Sequence, residues 1–312
     1  MPKLFVNSEG RARAGWRILL QFFLFIMVLA AAQLIQAEGF KNGDAISYAA
    51  GSLTYIAGIL MVTIVLSRFM DRRPVHEIGL RLNREWWFDL TAGMIIGAFT
   101  LGLVAFMEYS LGWVEFTAIL RNSLNAPLIV TALLAFLNLT AVGFGEELTF
   151  RGYQLTNLAE AFGKKAGLKK AVIIALLLTS AIFGITHLLN PNAGLLPALN
   201  ITLAGLLLGL AYTWSGSLAL PVGIHISWGY FEEFVFGYAN SGQEPFNSLL
   251  KNTVSGPVLW TGGSFGPEGG LLILIAILVD IVLVHFWLKS RKRWKGIHTR
   301  LADFPKNSSQ NA

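Results

Sequence analysis

The chain has 312 residues, 54% of them hydrophobic and 13% charged, with a strongly positive mean hydropathy. Such a composition excludes a large soluble domain and implies a multi-pass membrane protein. With no cysteine, disulfides, thiol catalysis, cysteine-ligated zinc and S-acylation are excluded, and the net charge of +6 reads as loops facing anionic lipid, not as nucleic-acid binding.

Residues 1–15 are polar and basic, with Lys3, Arg11 and Arg13, and Arg17 follows just inside the first apolar run. That run, from about Trp16 to Ile35, is long enough to span a bilayer and longer than the apolar core of a signal peptide, so it is read as a retained helix. A loop with Glu38, Lys41 and Asp44 leads to a second span, Ile46 to Ser67. A basic connection holding Pro74 precedes the third, which starts at the aromatic pair Trp86-Trp87 and ends near Gly112. The linker to Pro127 opens a fourth helix, which carries Gly143-Phe-Gly-Glu-Glu-Leu-Thr-Phe-Arg-Gly-Tyr153 and continues as an amphipathic segment to Gly163.

Lys164, Lys165, Lys169 and Lys170 precede a fifth span, Ala171 to Leu188, which closes on the turn Asn190–Gly194. The sixth span covers Ala198 to Trp214, and a Ser-Gly-Ser turn leads to the seventh, Leu218 to Gly237. A Gly-rich loop follows with Lys251 as its single base, then an eighth span and a basic tail whose Asn/Ser-rich end is expected to be disordered. The fold class is thus an all-α polytopic bundle of about eight transmembrane helices. Its parts are an N-terminal segment 1–15, helices one to three with their loops 16–126, a catalytic-like core 127–240, a loop 241–269, helix eight 270–288 and a tail 289–312. Basic residues crowd the N-terminus, the 2–3 and 4–5 connections and the tail, which places both termini in the cytoplasm and 241–269 outside. In a prokaryote the membrane would be the plasma membrane.

Three intramembrane positions bear on chemistry. Glu147 and Arg151 are four apart and share a helical face, so they can pair, while Glu146 is turned about 100° away and has no such partner. His187 follows Phe183 by one turn in the fifth span, and His225 lies in the seventh after Pro221-Val-Gly. Either histidine alone is more readily a packing residue than a ligand. His76 and His298 read as solvated, and His285 has no carboxylate motif beside it. Together, one free carboxylate and two imidazoles on three helices can bind Zn²⁺ with an open water position or activate a water directly. Gly143 and Gly145 would give room for a water, a metal or a substrate backbone.

The combination of Glu-Glu-x-x-x-Arg, Phe-x-x-x-His and a late His after Pro-Val-Gly, on the helices of an eight-span protein, resembles the CPBP family, the CAAX prenyl protease and bacteriocin-processing group also called Abi. The resemblance covers roughly residues 75 to 240. It implies an intramembrane endopeptidase acting on membrane-associated peptides or proteins. Glu146 would activate the water, His187 would assist or ligate metal, and His225 would stabilise the oxyanion or hold metal. Glu147 and Arg151 would support the geometry, with Phe183, Gly229 and Glu232 around them. The cofactor implied is a divalent metal, Zn²⁺, on Glu146, His187 and His225, unless the water is activated by the glutamate alone.

One position departs from the family pattern, since Asn is usual four residues after the last histidine and the chain has Gly229. The lost donor leaves two readings: an active enzyme that uses a water bridged to Glu232 or an amide from Asn138 or Asn200, or a catalytically weakened scaffold or immunity protein that binds a peptide or membrane partner. A carrier using buried Glu and His as a proton relay is a third. Depth is a second difficulty. If helix four starts at Pro127, Glu146 falls near its cytoplasmic end while His187 lies far toward the other face, so their convergence requires helix four to start later or its continuation to sink into the bundle; cleavage is expected near the cytoplasmic half of the bilayer.

Overall fold

The computed structural model describes residues 5–7, 9–124 and 126–303; Lys3 and the Asn/Ser-rich end of the tail lie outside the described residues. Among these, seven helices are long and apolar enough to cross a membrane. They are α1 (Ala14–Asn42), α2 (Ala45–Asp71), α3 (Arg84–Ser110), α4 (Leu128–Gly163), α5 (Leu168–Leu189), α6 (Leu195–Ser215) and α8 (Ile273–Ser290). The protein is an integral, multi-pass, all-α membrane protein. The remaining expected span is shorter: α7 is Ala219–Gly229, followed by a π-helical turn Tyr230–Val235.

Local chemistry sets the helix ends. The Asp44 carboxylate accepts from the amides of Ile46 and Ser47 and from the Ser47 hydroxyl at the start of α2; these bonds hold its pKa below the ordinary carboxylate value. Asn83 accepts from the Trp86 amide to start α3 (3.0 Å). Gly43 and Gly216 end α1 and α6 in the left-handed conformation at φ 65° and 64°, where glycine carries no steric penalty.

The linker before Pro127 and part of loop 241–269, both expected as coil, pair instead as β1 (Val114–Asn122) and β2 (Asn247–Val254), an antiparallel ribbon with a bulge between Phe116 and Ala118. The signal for β1 is in the sequence, in the run Val114-Glu-Phe-Thr-Ala-Ile119 of alternating and β-branched residues. The ribbon caps one end of the bundle, here the sheet end; most of the loops with multiple Lys and Arg lie at the other, the basic end. There Arg17 Nη1 donates to Asp71 Oδ1 (2.8 Å), and Arg11 and Arg73 both reach Glu160.

The core of the bundle is the crossing of α3 and α7, made by small residues. A methyl at Gly93 would meet the Leu220 carbonyl, and one at Gly223 would meet the Leu90 carbonyl. Backbone-to-backbone packing of this kind is how membrane helices adhere where lipid is as apolar as leucine. Gly102 on α3 faces open space. Gly223→Ala is therefore expected to destabilise by roughly 1–3 kcal/mol through overpacking and to lower the thermal midpoint in detergent, while Gly102→Ala leaves it unchanged; equal midpoints for the two variants would refute the tight crossing.

Candidate active site

The two adjacent glutamates of α4 go to different environments, as their 100° separation requires. Glu147 points into the protein and is fully buried. Its Oε1 accepts from Arg151 Nη1 (2.7 Å) and from His225 Nδ1 (3.0 Å). Arg151, 1% exposed, turns its Nη2 to the Gly205 carbonyl of α6 (3.1 Å). Gly205 permits this approach, since a Cβ there would lie 3.3 Å from the same nitrogen. One buried carboxylate thus ties α4, α6 and α7 together with its charge compensated.

Glu146 faces a cavity and keeps 18% of its side chain exposed. Its Oε2 lies 3.8 Å from His225 Nε2, just beyond hydrogen-bonding distance. Because Glu147 accepts the Nδ1 proton of His225, the Nε2 of that ring is the nitrogen turned to Glu146. His187 Nδ1 donates to the Phe183 carbonyl (2.7 Å), which leaves its Nε2 for the cavity. Phe183 is the hub: the Arg151 guanidinium stacks over its ring (4.4 Å), His187 lies 4.7 Å away, and His225 meets it edge-on (6.3 Å). The expected residues Glu146, Glu147, Arg151, Phe183, His187 and His225 are therefore assembled in one place.

Depth is resolved by length, not by a late start. α4 begins at Leu128 and runs 36 residues without a break, turning π-helical over Leu148–Leu155 directly after the glutamates. At 1.5 Å per residue, Glu146 lies roughly 25 Å from Gly163, and His187 roughly 28 Å from Leu168 at the same basic end. α7 starts deep in the bundle, with Leu218 N bonded to the Gly79 carbonyl and the Leu218 side chain 3.2 Å from a Cβ at Gly152. Gly152 is itself roughly 16 Å from Gly163, so His225 reaches the same level. The cavity, about 670 Å³, extends from this level toward the sheet end, where Gln36, Tyr48, Asn240, Glu244 and Phe246 line it.

Other expectations are also revised. Gly145 does not leave room for a ligand, because its face is filled by the Tyr55 ring, whereas Gly143 lines the cavity although a Cβ there would press on Ile226 of α7. Glu232 is fully buried, beside Glu108, Glu233 and Glu268, and does not line the cavity. The neighbouring Glu233 does. The π turn after Gly229 shifts the face by one residue, which an ideal helical wheel misses. Asn200 donates to the carbonyls of Glu268 and Gly270 and is structural. Asn138 lines the cavity, with its oxygen accepting from Gln36 and Ser52. His285 packs against Trp214 and Trp294. Among the described residues no three His, Asp or Glu side chains are gathered closely enough to hold a metal ion as they stand. Asn240 and Glu233 went unread because no residue pattern marks a loop amide or a π-shifted face.

Residues 127–231 match the family described as type II CAAX prenyl endopeptidase Rce1-like. The resemblance to the CPBP family is borne out over this segment, which contains Glu146, Glu147, Arg151, Phe183, His187, His225 and Gly229 and ends before Glu232 and Asn240. No curated protein and no solved structure matches the chain.

Removing one member of a buried ion pair costs on the order of 3–5 kcal/mol because the partner charge is stranded. Glu147→Gln is expected to lower the thermal midpoint strongly, and Glu147→Gln with Arg151→Met to recover part of that loss. Thermal melts of both proteins check this; a double variant less stable than Glu147→Gln would contradict the stranded-charge account.

Proposed function

We propose that the protein is an intramembrane endopeptidase that hydrolyses peptide bonds of membrane-associated peptides or proteins with a water activated by Glu146. The observation that carries this reading is the division of labour on α4. Glu147 is consumed by Arg151 and His225, whereas Glu146 stands free in the cavity facing the His225 Nε2. The family of residues 127–231 supports the same chemistry.

In the reaction, Glu146 takes a proton from water as the water oxygen attacks the scissile carbonyl carbon. Negative charge develops on the carbonyl oxygen, and His225 meets it as the imidazolium, its Nδ1–H held by Glu147 and its Nε2–H turned to the cavity. Glu146 then gives its proton to the departing amine nitrogen as the C–N bond breaks. His187, oriented by the Phe183 carbonyl, offers Nε2 to position the water. Since the donors do not converge on one point, no step is routed through a metal.

Glu146→Gln is expected to reduce turnover of a membrane-tethered peptide by about 10²–10⁴, the usual weight of a general base, with the melting temperature retained, and His225→Ala to abolish it while also lowering the melting temperature, since α7 loses its bond to Glu147. Activity of Glu146→Gln equal to wild type, at matched protein level, would sink the assignment. Metal analysis of the same preparations tests the alternative: stoichiometric zinc whose removal stops hydrolysis would replace the glutamate-only mechanism.

We further propose that both termini are cytoplasmic, so that the cavity extends toward the outer face. The chain has no native cysteine, and Lys165 and Thr253 are both exposed. A cysteine at Thr253 is expected to react with impermeant maleimide in intact spheroplasts, and one at Lys165 only after lysis. The reverse pattern would invert the orientation.

A further inference from the structure

We propose that Asn240 supplies the amide N–H that stabilises the oxyanion during peptide hydrolysis, an assignment that rests on the peptidase reading above. The tetrahedral intermediate needs donors already aimed at the carbonyl oxygen. His225 can provide one through Nε2 when its ring carries both protons. The next turn of α7 carries Gly229, which has no side chain to provide another.

The space beside Gly229 is not empty. A Cβ built there would lie 3.2 Å from Asn240 Nδ2 and 3.2 Å from Leu139 Cδ2. An amide from outside the helix occupies the place of a residue-229 side chain, and Asn240 lines the same cavity as Glu146 and His225. Its backbone is held on several sides. Asn240 N donates to the Gln243 carbonyl and Gln243 N to the Asn240 carbonyl, both at 2.9 Å. The Ser241 carbonyl accepts from Asn190 Nδ2 (2.9 Å), three residues beyond His187, and Ser241 N donates to Glu268 (3.1 Å). The Glu233 carboxylate lines the same cavity beside the Asn240 amide. A carboxamide has two N–H donors, so one can face Glu233 while the other faces the substrate. The loop after α7 thus delivers a pre-oriented donor to a helix that lacks one.

The test uses the full-length protein in detergent micelles, a quenched fluorescent peptide with a farnesylated C-terminus, and the phosphinate analogue of that peptide, whose oxygen mimics the oxyanion. Asn240→Ala is expected to lower kcat by about 10²–10³, the weight of one oxyanion donor, with KM unchanged, and to weaken phosphinate binding by a similar factor. Asn240→Asp, which keeps the size but replaces the donor, should lose as much, and covers the case in which the alanine variant does not fold. Gly229→Asn alone should slow the enzyme, because its Cβ presses on Asn240. In the Asn240→Ala background the same change should restore at least about tenfold, by returning an amide to the same space. Full activity of Asn240→Ala and Asn240→Asp overturns the proposal. So does a loss that Gly229→Asn does not rescue and that weakens substrate and phosphinate alike, which would assign Asn240 to holding the loop. Turnover by Glu146→Gln at the wild-type rate would instead reject the peptidase reading itself.

Discussion

The site depends on one buried carboxylate. Glu147 has no access to solvent, yet it holds an arginine on its own helix and a histidine on another through a single oxygen. A lone carboxylate at that depth would be expensive, and a lone guanidinium more so. Paired, they become a rigid peg on which α4, α6 and α7 are registered. The proton on His225 Nδ1 is committed by the same bond, which determines what its other nitrogen can do. Phe183 seals the arrangement: its ring face takes the Arg151 cation and its backbone carbonyl takes the His187 proton. Stability and the geometry of the cavity wall therefore share the same atoms.

Two packing features put this peg at the right depth. The contact of α3 with α7 through Gly93 and Gly223 brings the backbones together without side chains between them. The start of α7 is sunk below the basic end, on the buried turn around Ile78 and Gly79, so that a helix too short to cross the bilayer alone still brings His225 level with Glu146. Charge is distributed accordingly. Carboxylates Glu146, Glu233, Glu244 and Glu268 line the cavity, and among its described lining residues there is no lysine or arginine.

Much of this was legible beforehand, for physical reasons. Apolar runs of spanning length report helices directly, because lipid allows no other way to satisfy an exposed backbone. The Glu147–Arg151 pair followed from its i,i+4 spacing, and the freedom of Glu146 from the angle between neighbours on a helix. What stayed hidden depends on departures from the ideal helix or on loops. The π turn after Gly229 turned Glu233, not Glu232, into the cavity. Gly145, read as space for a ligand, is space for the Tyr55 ring. Asn240 reaches the site through a chain of loop hydrogen bonds whose partners, Asn190, Gln243 and Glu268, are scattered along the chain.

The position of Arg151, one turn after Glu147 on the same helix, also bears on how the protein is made. Each charge alone would add about 2.5–3.5 kcal/mol to the transfer of α4 from the translocon into lipid. Carried as a neighbouring pair, they neutralise each other before any other helix arrives, so α4 enters lipid with Glu147 and Arg151 already offset and Glu146 as the nearby charge left to accommodate. His225 is synthesised some seventy residues later and docks onto an acceptor already in place. The counter-charge of Arg151 thus travels on the same helix as Glu147, and the docking of His225 becomes a late packing event onto a pair already formed.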